Sequence, residues 1–164
     1  GHRNPQGLAI HPDTGDVWIN EHGPQGGDEL NLVQPGLNYG WPVIGYGVNY
    51  GSGSAIHEGT LRDDIEPPTH FWVPSIATSG LLIYSGDRFP EWRGSVFVGG
   101  MSGQQLARLA PSIDRPRRFE QEETLAYGIG RVRDVRQGPD GYIYLAIEDR
   151  GGAPTAVVRL EPVP

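Results

Sequence analysis

Gly7–Gly23 reads GLAIHPDTGDVWINEHG, and Val135–Gly151 reads VRQGPDGYIYLAIEDRG. Each runs from a short strand through a turn containing Pro-Asp into an apolar strand, then an acidic residue and a glycine. His11–Gly15 (HPDTG) and Gly138–Gly141 (GPDG) are turn chemistry, because Asp bonds back to nearby backbone and Gly accepts left-handed angles. Asp16–Asn20 (DVWIN) and Tyr142–Ile147 (YIYLAI) carry the β-branched and aromatic residues that suit a pleated surface. A looser middle copy lies in Gly80–Gly100, where Ser95–Gly99 (SVFVG) follows a longer Ser85–Gly94 turn. Thr155–Leu160 (TAVVRL) is a further strand. No segment of a dozen residues sustains a 3.6-residue apolar period, which argues against long helices.

Three copies at a spacing of roughly 50–75 residues suit propeller blades carrying loop insertions. The expected fold is all-β: about three four-stranded blades of a β-propeller. A propeller closes only when its ring is full, and three blades are too few. The chain is therefore expected to complete its ring with a further segment or with a second copy of itself, because open blade edges demand partners. Tyr46–Ser54 (YGVNYGSGS) is expected to be an exposed insertion between strands.

Composition narrows the function classes. The chain has 164 residues, 37% hydrophobic and 20% charged, with Gly 25 and Pro 15. Four Trp, seven Tyr and four Phe supply enough aromatic area to offset the ordering cost of so turn-rich a chain. A formal net charge of −7 disfavours nucleic acid and anionic membranes as partners. The longest apolar runs, such as Leu81–Tyr84, are far too short to span a bilayer. All thirteen basic residues are Arg, so every fixed cation is a guanidinium, and the absence of Cys excludes disulfides and thiolate metal sites. No signal peptide is visible, and the chain opens at Gly1 rather than Met. It reads as a mature product or as a piece of a longer chain.

Three clusters could carry chemistry. Gly1–Gly7 (GHRNPQG) packs His2, Arg3, Asn4 and Gln6 into a loop before a strand; a surface loop of turn formers is the simpler reading. Asn20–Pro42 (NEHGPQGGDELNLVQPGLNYGWP) can fold tightly at its glycines. With inward carbonyls and Asp28 and Glu29 nearby, it suits a hard cation that takes six to eight oxygens, although the spaced carboxylates of an EF-hand are absent. The competing reading is a connecting loop with solvated carboxylates. In Arg131–Val132–Arg133–Asp134, residues i and i+2 of an extended segment share a face. Two guanidinium forks side by side match paired carboxylates on a ligand, unless they are solvated or paired with acids such as Asp134.

Taken together and in order, GHRNPQG, E-x-G-P-x-x-x-D-E-x-N, N-Y-G-W-P, W-x-P-S-I-A-x-S-G and R-x-R-D resemble the glucose/sorbosone dehydrogenase family. These are soluble quinoprotein aldose dehydrogenases built as six-bladed propellers. The resemblance runs from Gly1 to about Leu160 and implies that residues 1–164 are the C-terminal half of such a ring, with pyrroloquinoline quinone (PQQ) and calcium as cofactors. It implies oxidation of an aldose at C1 to the lactone in the complete protein, with a periplasmic or secreted location.

Residue by residue, the resemblance places Arg3, Asn4 and Gln6 beside the quinone and the sugar, with Arg3 stabilising charge as hydride arrives. It makes the carbonyls of Gly23 and Pro24 the calcium ligands, and Glu29 with the Tyr39 carbonyl a second calcium site. Arg131 and Arg133 pair with cofactor carboxylates, and Ser75 and Trp72 contact the cofactor, Trp72 as an aromatic wall. A dehydrogenase needs the Arg131/Arg133 pair and the Gly23–Pro24 carbonyls to face one pocket with Arg3, whereas a binding module needs no such convergence. Two departures stand out. Ser102 lies in the stretch where some family members place a cofactor-binding Lys, and His22 stands where they can carry Gln. The family's general-base His belongs to the N-terminal half, so the isolated chain is expected to be inactive. Two other functions fit the same architecture. One is a non-catalytic, calcium-stabilised binding or assembly module; the other is a hydrolase or lactonase on a calcium propeller.

Overall fold

The computed structural model describes residues 1–115 and 117–162. Eleven strands form three antiparallel sheets. The first holds β1 (Pro5–Ile10), β2 (Val17–Glu21), β3 (Asp28–Val33) and β4 (His70–Trp72), neighbours in that order. The second holds β5 (Thr78–Ile83), β6 (Val96–Gly100), β7 (Gln105–Pro111) and β8 (Phe119–Leu125). The third holds β9 (Arg131–Gln137), β10 (Ile143–Glu148) and β11 (Val157–Arg159). It shows three strands among the described residues, where four were expected. The only helix among them is a single 3-10 turn, Pro90–Trp92. The repeated sequence corresponds to the first hairpin of each sheet: β1–β2, β5–β6 and β9–β10. The Tyr46–Ser54 insertion is exposed from Asn49 onward, but Val48 makes bridges to Gln25 and Ala55 that anchor its base.

The three sheets stack face to face, and alternation along the strands divides their side chains between two cores. Trp18, Leu30, Leu32 and Trp72 of the first sheet meet Leu81, Ile83, Val96, Val98 and Leu109 of the second. On the other face of the second sheet, Phe97 and Leu106 meet Val132, Val135, Ile143 and Leu145 of the third. The middle sheet is covered on both sides, which is why β6 (VFVGG) is buried along its whole length.

The inner strands lie close together: β5 packs against β1 on one side and β9 on the other. Glycines permit this. A Cβ on Gly80 would stand 2.2 Å from Asp134 Oδ1 and 2.6 Å from Val135 N. Polar side chains fasten the same contact. Buried Asn20 accepts the Gly7 N–H and donates to Ser79 O, both at 2.9 Å, and Ser79 Oγ donates to Val132 O at 2.7 Å. Each of these groups would be costly to bury unpaired. Gly80→Ala is therefore expected to push β5 from β9 and destabilise the protein by about 1–3 kcal/mol. Gly59→Ala, which meets nothing within 4 Å, should leave the midpoint of denaturant unfolding nearly unchanged.

Candidate functional site

The register places the start of each inner strand beside the end of its hairpin partner: Pro5 opposite Glu21, Thr78 opposite Gly100, Arg131 opposite Glu148. The loop before β1, the β2–β3 loop, the segment before β5, the β6–β7 turn and the start of β9 thus share one end of the stack. All the candidate residues lie at or near it; Trp72, opposite Asp28 with its carbonyl accepting the Gly27 N–H, turns only its indole away.

Glu21 organises the first part of this end. It is 3% exposed. Its carboxylate accepts the backbone N–H of Arg3 at 2.6 Å and of Asn4 at 3.2 Å, and the Asn31 amide at 3.0 Å. His2 Nδ1 lies 2.7 Å from it, with the ring stacked on Tyr39. The GHRN loop is held by its main chain, which leaves the Arg3 guanidinium to reach His22 O at 3.1 Å and to lie over the Trp41 ring. Asn4 and Gln6 bond to each other at 2.9 Å on the exposed side.

Asp28 does the same for the next loop. Fully buried, it accepts the N–H of Gly23 and of Thr78, both at 3.1 Å, and so ties the β2–β3 loop to the second sheet. His22 Nε2 reaches Thr78 O at 2.6 Å. The loop closes tightly at Gly23, where a Cβ would meet the Gly26 and Gly27 oxygens at 2.2 and 2.3 Å.

Arg3, Glu21, Gly23, Pro24, Glu29, Tyr39 and Trp41 line one small cavity of about 20 Å³. Its size admits a single water-sized occupant. Burial pushes the Glu29 carboxyl up to about 7; the Asn31 hydrogen bond opposes this, and the negative charges of Glu21 and Asp28 add to it. A hard cation would relieve that excess of negative charge. Among the described residues no group of three or more His, Cys, Asp or Glu converges on a metal position. Further ligands would then be main-chain or neutral side-chain oxygens, and Asn31 Oδ1, on the residue whose amide bonds Glu21 and Glu29, is buried without a partner. Pro24 O accepts the Tyr50 hydroxyl at 2.9 Å and keeps a second lone pair. Residues and size therefore fit an oxygen-bound cation.

Arg131 and Arg133 do share a face of β9, as the i/i+2 spacing requires. Their partner is Glu148 rather than Asp134, which pairs with Arg136. Two of the expectations need correction. Trp72 is not a wall of the site. It is 5% exposed in the core between the first two sheets, with Nε1 donating to Glu122 at 2.6 Å. β4 pairs with β3 at the outer edge of its sheet and points the indole inward between sheets; Trp41 is the indole of the cavity. Nor do the arginines share the cavity of Arg3. Arg133 lines a separate recess with Gln6, Ser79 and Met101, while Arg131 lines a third with Glu148. The His22–Thr78 contact joins the β2–β3 loop to the start of β5, and the β6–β7 turn follows Gly100 at the same end. Ser75 lies beside this turn, its carbonyl accepting Ser102 Oγ at 3.1 Å.

The sequence reading passed over Glu21 and Glu148. They are the acidic residues that close the first and third copies of the repeat, so the signal lay in the repeat itself.

Comparison with known proteins follows the same lines. Residues 1–159 match the family model described as Glucose / Sorbosone dehydrogenase. The chain is 41% identical over 154 residues to the aldose sugar dehydrogenase YliI of Escherichia coli, covering 93% of this chain and 41% of that protein. A crystal structure of glucose dehydrogenase superposes with a TM-score of 0.90 at 43% identity, over 99% of this chain and 46% of that one. The PQQ-bound aldose sugar dehydrogenase of Streptomyces coelicolor gives 0.71 at 28%, over 98% and 44%. The chain thus spans less than half the length of these relatives.

Glu29 generates a pH dependence. Its folded value, about 7, exceeds the ordinary 4.5. The unfolded chain therefore releases this proton first, and stability falls as pH rises from about 4.5 to about 7. In chelator-treated protein this slope should be measurable as a declining melting temperature, and Glu29→Gln should flatten it.

Proposed function

The chain belongs to the glucose/sorbosone dehydrogenase family, and from that premise we propose that its 164 residues form the C-terminal half of a six-bladed ring that oxidises an aldose at C1 to the lactone. When bound, PQQ supplies the hydride acceptor and calcium a Lewis acid beside it. The observation that carries the reading is the gathering of Arg3, the Gly23–Pro24 bend and the Arg131/Arg133 pair at one end of three stacked sheets.

The roles follow from chemistry. Arg3, oriented by its own main chain on Glu21, would present a fixed cation to the hydride acceptor, the partner that gains negative charge, an electrostatic contribution that needs no reorganisation. Calcium would be held by the carbonyls of Gly23 and Pro24 with Glu29 and the Tyr39 carbonyl, as one ion in the single cavity they line rather than the two the family resemblance implies. Arg131 and Arg133 grip carboxylates of the cofactor as forks. Asn4, Gln6 and Ser75 supply neutral hydrogen bonds around the opening, and Ser102 gives a hydroxyl where relatives can place a charge.

Removal of the anomeric hydroxyl proton is assigned to a histidine of the other half of the ring, as the family resemblance implies. Each histidine of this chain has one ring nitrogen engaged, and the second nitrogen of His57 is buried without a hydrogen-bond partner beside the Arg3 cavity. His2 is held by Glu21, His22 by Thr78 O, His57 by Pro42 O, His70 by Glu122, and His11 takes two backbone N–H groups of its own turn. The same reading places the protein in the periplasm or outside the cell.

Arg131→Ala combined with Arg133→Ala in the complete ring should weaken PQQ binding by about a hundredfold or more, since charged hydrogen bonds are lost from two forks. Unchanged binding would remove the cofactor assignment. Chelation should lower the melting temperature and added calcium restore it; a melting temperature indifferent to both would remove the metal site.

A further inference from the structure

We propose that Glu148 is a positioning residue of the anion-binding end of this site, clamping Arg131 and Arg133 into one unit whose remaining Nη donors receive the carboxylates of the quinone. The inference rests on the cofactor assignment above and extends it to a residue outside the R-x-R motif.

One oxygen of Glu148 takes both arginines. Arg131 Nε donates to Oε2 at 2.9 Å, and Arg133 Nε stands 2.5 Å from the same atom. The guanidiniums are steadied on their other side by Met101, the single methionine of the chain, whose sulfur lies against Arg131 Nη2 at 3.7 Å and against Arg133 Nη1. Met101 is 7% exposed, so this support is part of the packed structure. No other side-chain partner of either arginine stands among the described residues. The clamp therefore occupies the Nε edges and leaves further Nη donors on both forks.

The Arg133 and Glu148 side chains are 48% and 32% exposed, and an ion pair between such groups adds little stability, so its role is to position the guanidiniums. Two like charges two residues apart on one face repel, and each long side chain loses rotamer freedom when fixed. A carboxylate between them offsets the repulsion, fixes both planes and leaves one net positive charge instead of two. The arginines in turn hold the Glu148 carboxyl down at about 2, with Arg133 the larger influence, so the clamp is ionised throughout the neutral range.

The position has a counterpart elsewhere in the fold. Glu21 closes the first copy of the repeat as Glu148 closes the third, and each sits in register opposite the first residue of its inner strand. Glu21 holds the main chain around Arg3. Glu148 holds the side chains of Arg131 and Arg133. The same register site thus orients arginine in both blades, once through backbone and once through guanidinium.

Glu148→Gln and Glu148→Asp in the complete, calcium-loaded protein test the proposal by titration with PQQ at low and high salt. Without the carboxylate the pocket gains a net positive charge and loses its alignment. The Gln variant is expected to show a steeper salt dependence of Kd, ending about three- to tenfold weaker than wild type at high salt, where screening removes the added attraction. The Asp variant, which keeps the charge, should return toward the wild-type salt dependence. Side-chain Nε–H NMR signals of Arg131 and Arg133, followed without quinone, report the clamp alone: slow exchange in wild type, lost in Glu148→Gln. Wild-type PQQ binding with unchanged salt dependence and unchanged Nε signals in Glu148→Gln would overturn the clamp. Failure of wild type to bind PQQ, with the Nε signature present, would overturn the cofactor assignment instead and this role with it.

Discussion

Everything at the candidate site depends on how closely β1, β5 and β9 approach one another. The contact is set by backbone, since Gly7, Gly80 and Gly99 each face atoms that a methyl group would displace. Asn20 and Ser79 then spend their hydrogen-bonding capacity across the three strands. A buried carboxamide and hydroxyl satisfied in this way fix register as well as distance, because a slip would leave several polar groups unpaired in a dry interior. With the inner strands locked, their starting residues have no freedom to diverge, and chemistry from three distant segments of chain arrives at one end.

A second layer of organisation uses negative charge to place positive charge. Glu21 and Asp28 are buried carboxylates whose partners are largely backbone N–H groups at the starts of loops. Such bonds hold the loop in a single conformation. Glu29 lacks that compensation, and its raised value marks it as the carboxylate for which an added cation does most. The contrast between three neighbouring acids, two satisfied by the protein and one not, is what gives the cavity its chemical character. Glu148 extends the pattern to the third sheet, where the groups it holds are side chains.

Much of the architecture was legible in the residues. The Pro-Asp turns mark the first hairpins of the first and third sheets, the looser middle copy marks that of the second, and the i/i+2 spacing of Arg131 and Arg133 does place them on one face. The family's motif order carried the candidate site, because motifs preserve local loop chemistry. Trp72 escaped this reasoning for a physical reason: an indole near the cofactor motif and an indole in the core have the same composition, and only the pairing of β4 with β3 turns it inward. The partner of the arginine pair was hidden likewise. Asp134 is adjacent in sequence, yet in a strand adjacent residues face opposite sides, and Glu148 reaches the pair through the β9–β10 register.

The sequence by itself determined the kind of protein: turn-rich, all-β, repeating, acidic, with a guanidinium-only set of cations and a string of motifs in the order of a sugar dehydrogenase. These are properties of local chemistry, which turns, alternation and short motifs encode within a few residues. Tertiary structure alone decided which groups meet, that Arg3, Arg133 and Arg131 line three recesses rather than one, that Trp41 rather than Trp72 is the indole of the cavity, and that Glu21 and Glu148 occupy equivalent register positions in different sheets. Those outcomes depend on strand register and on the separation between sheets, which are set by packing over the whole stack and are written in no single stretch of chain.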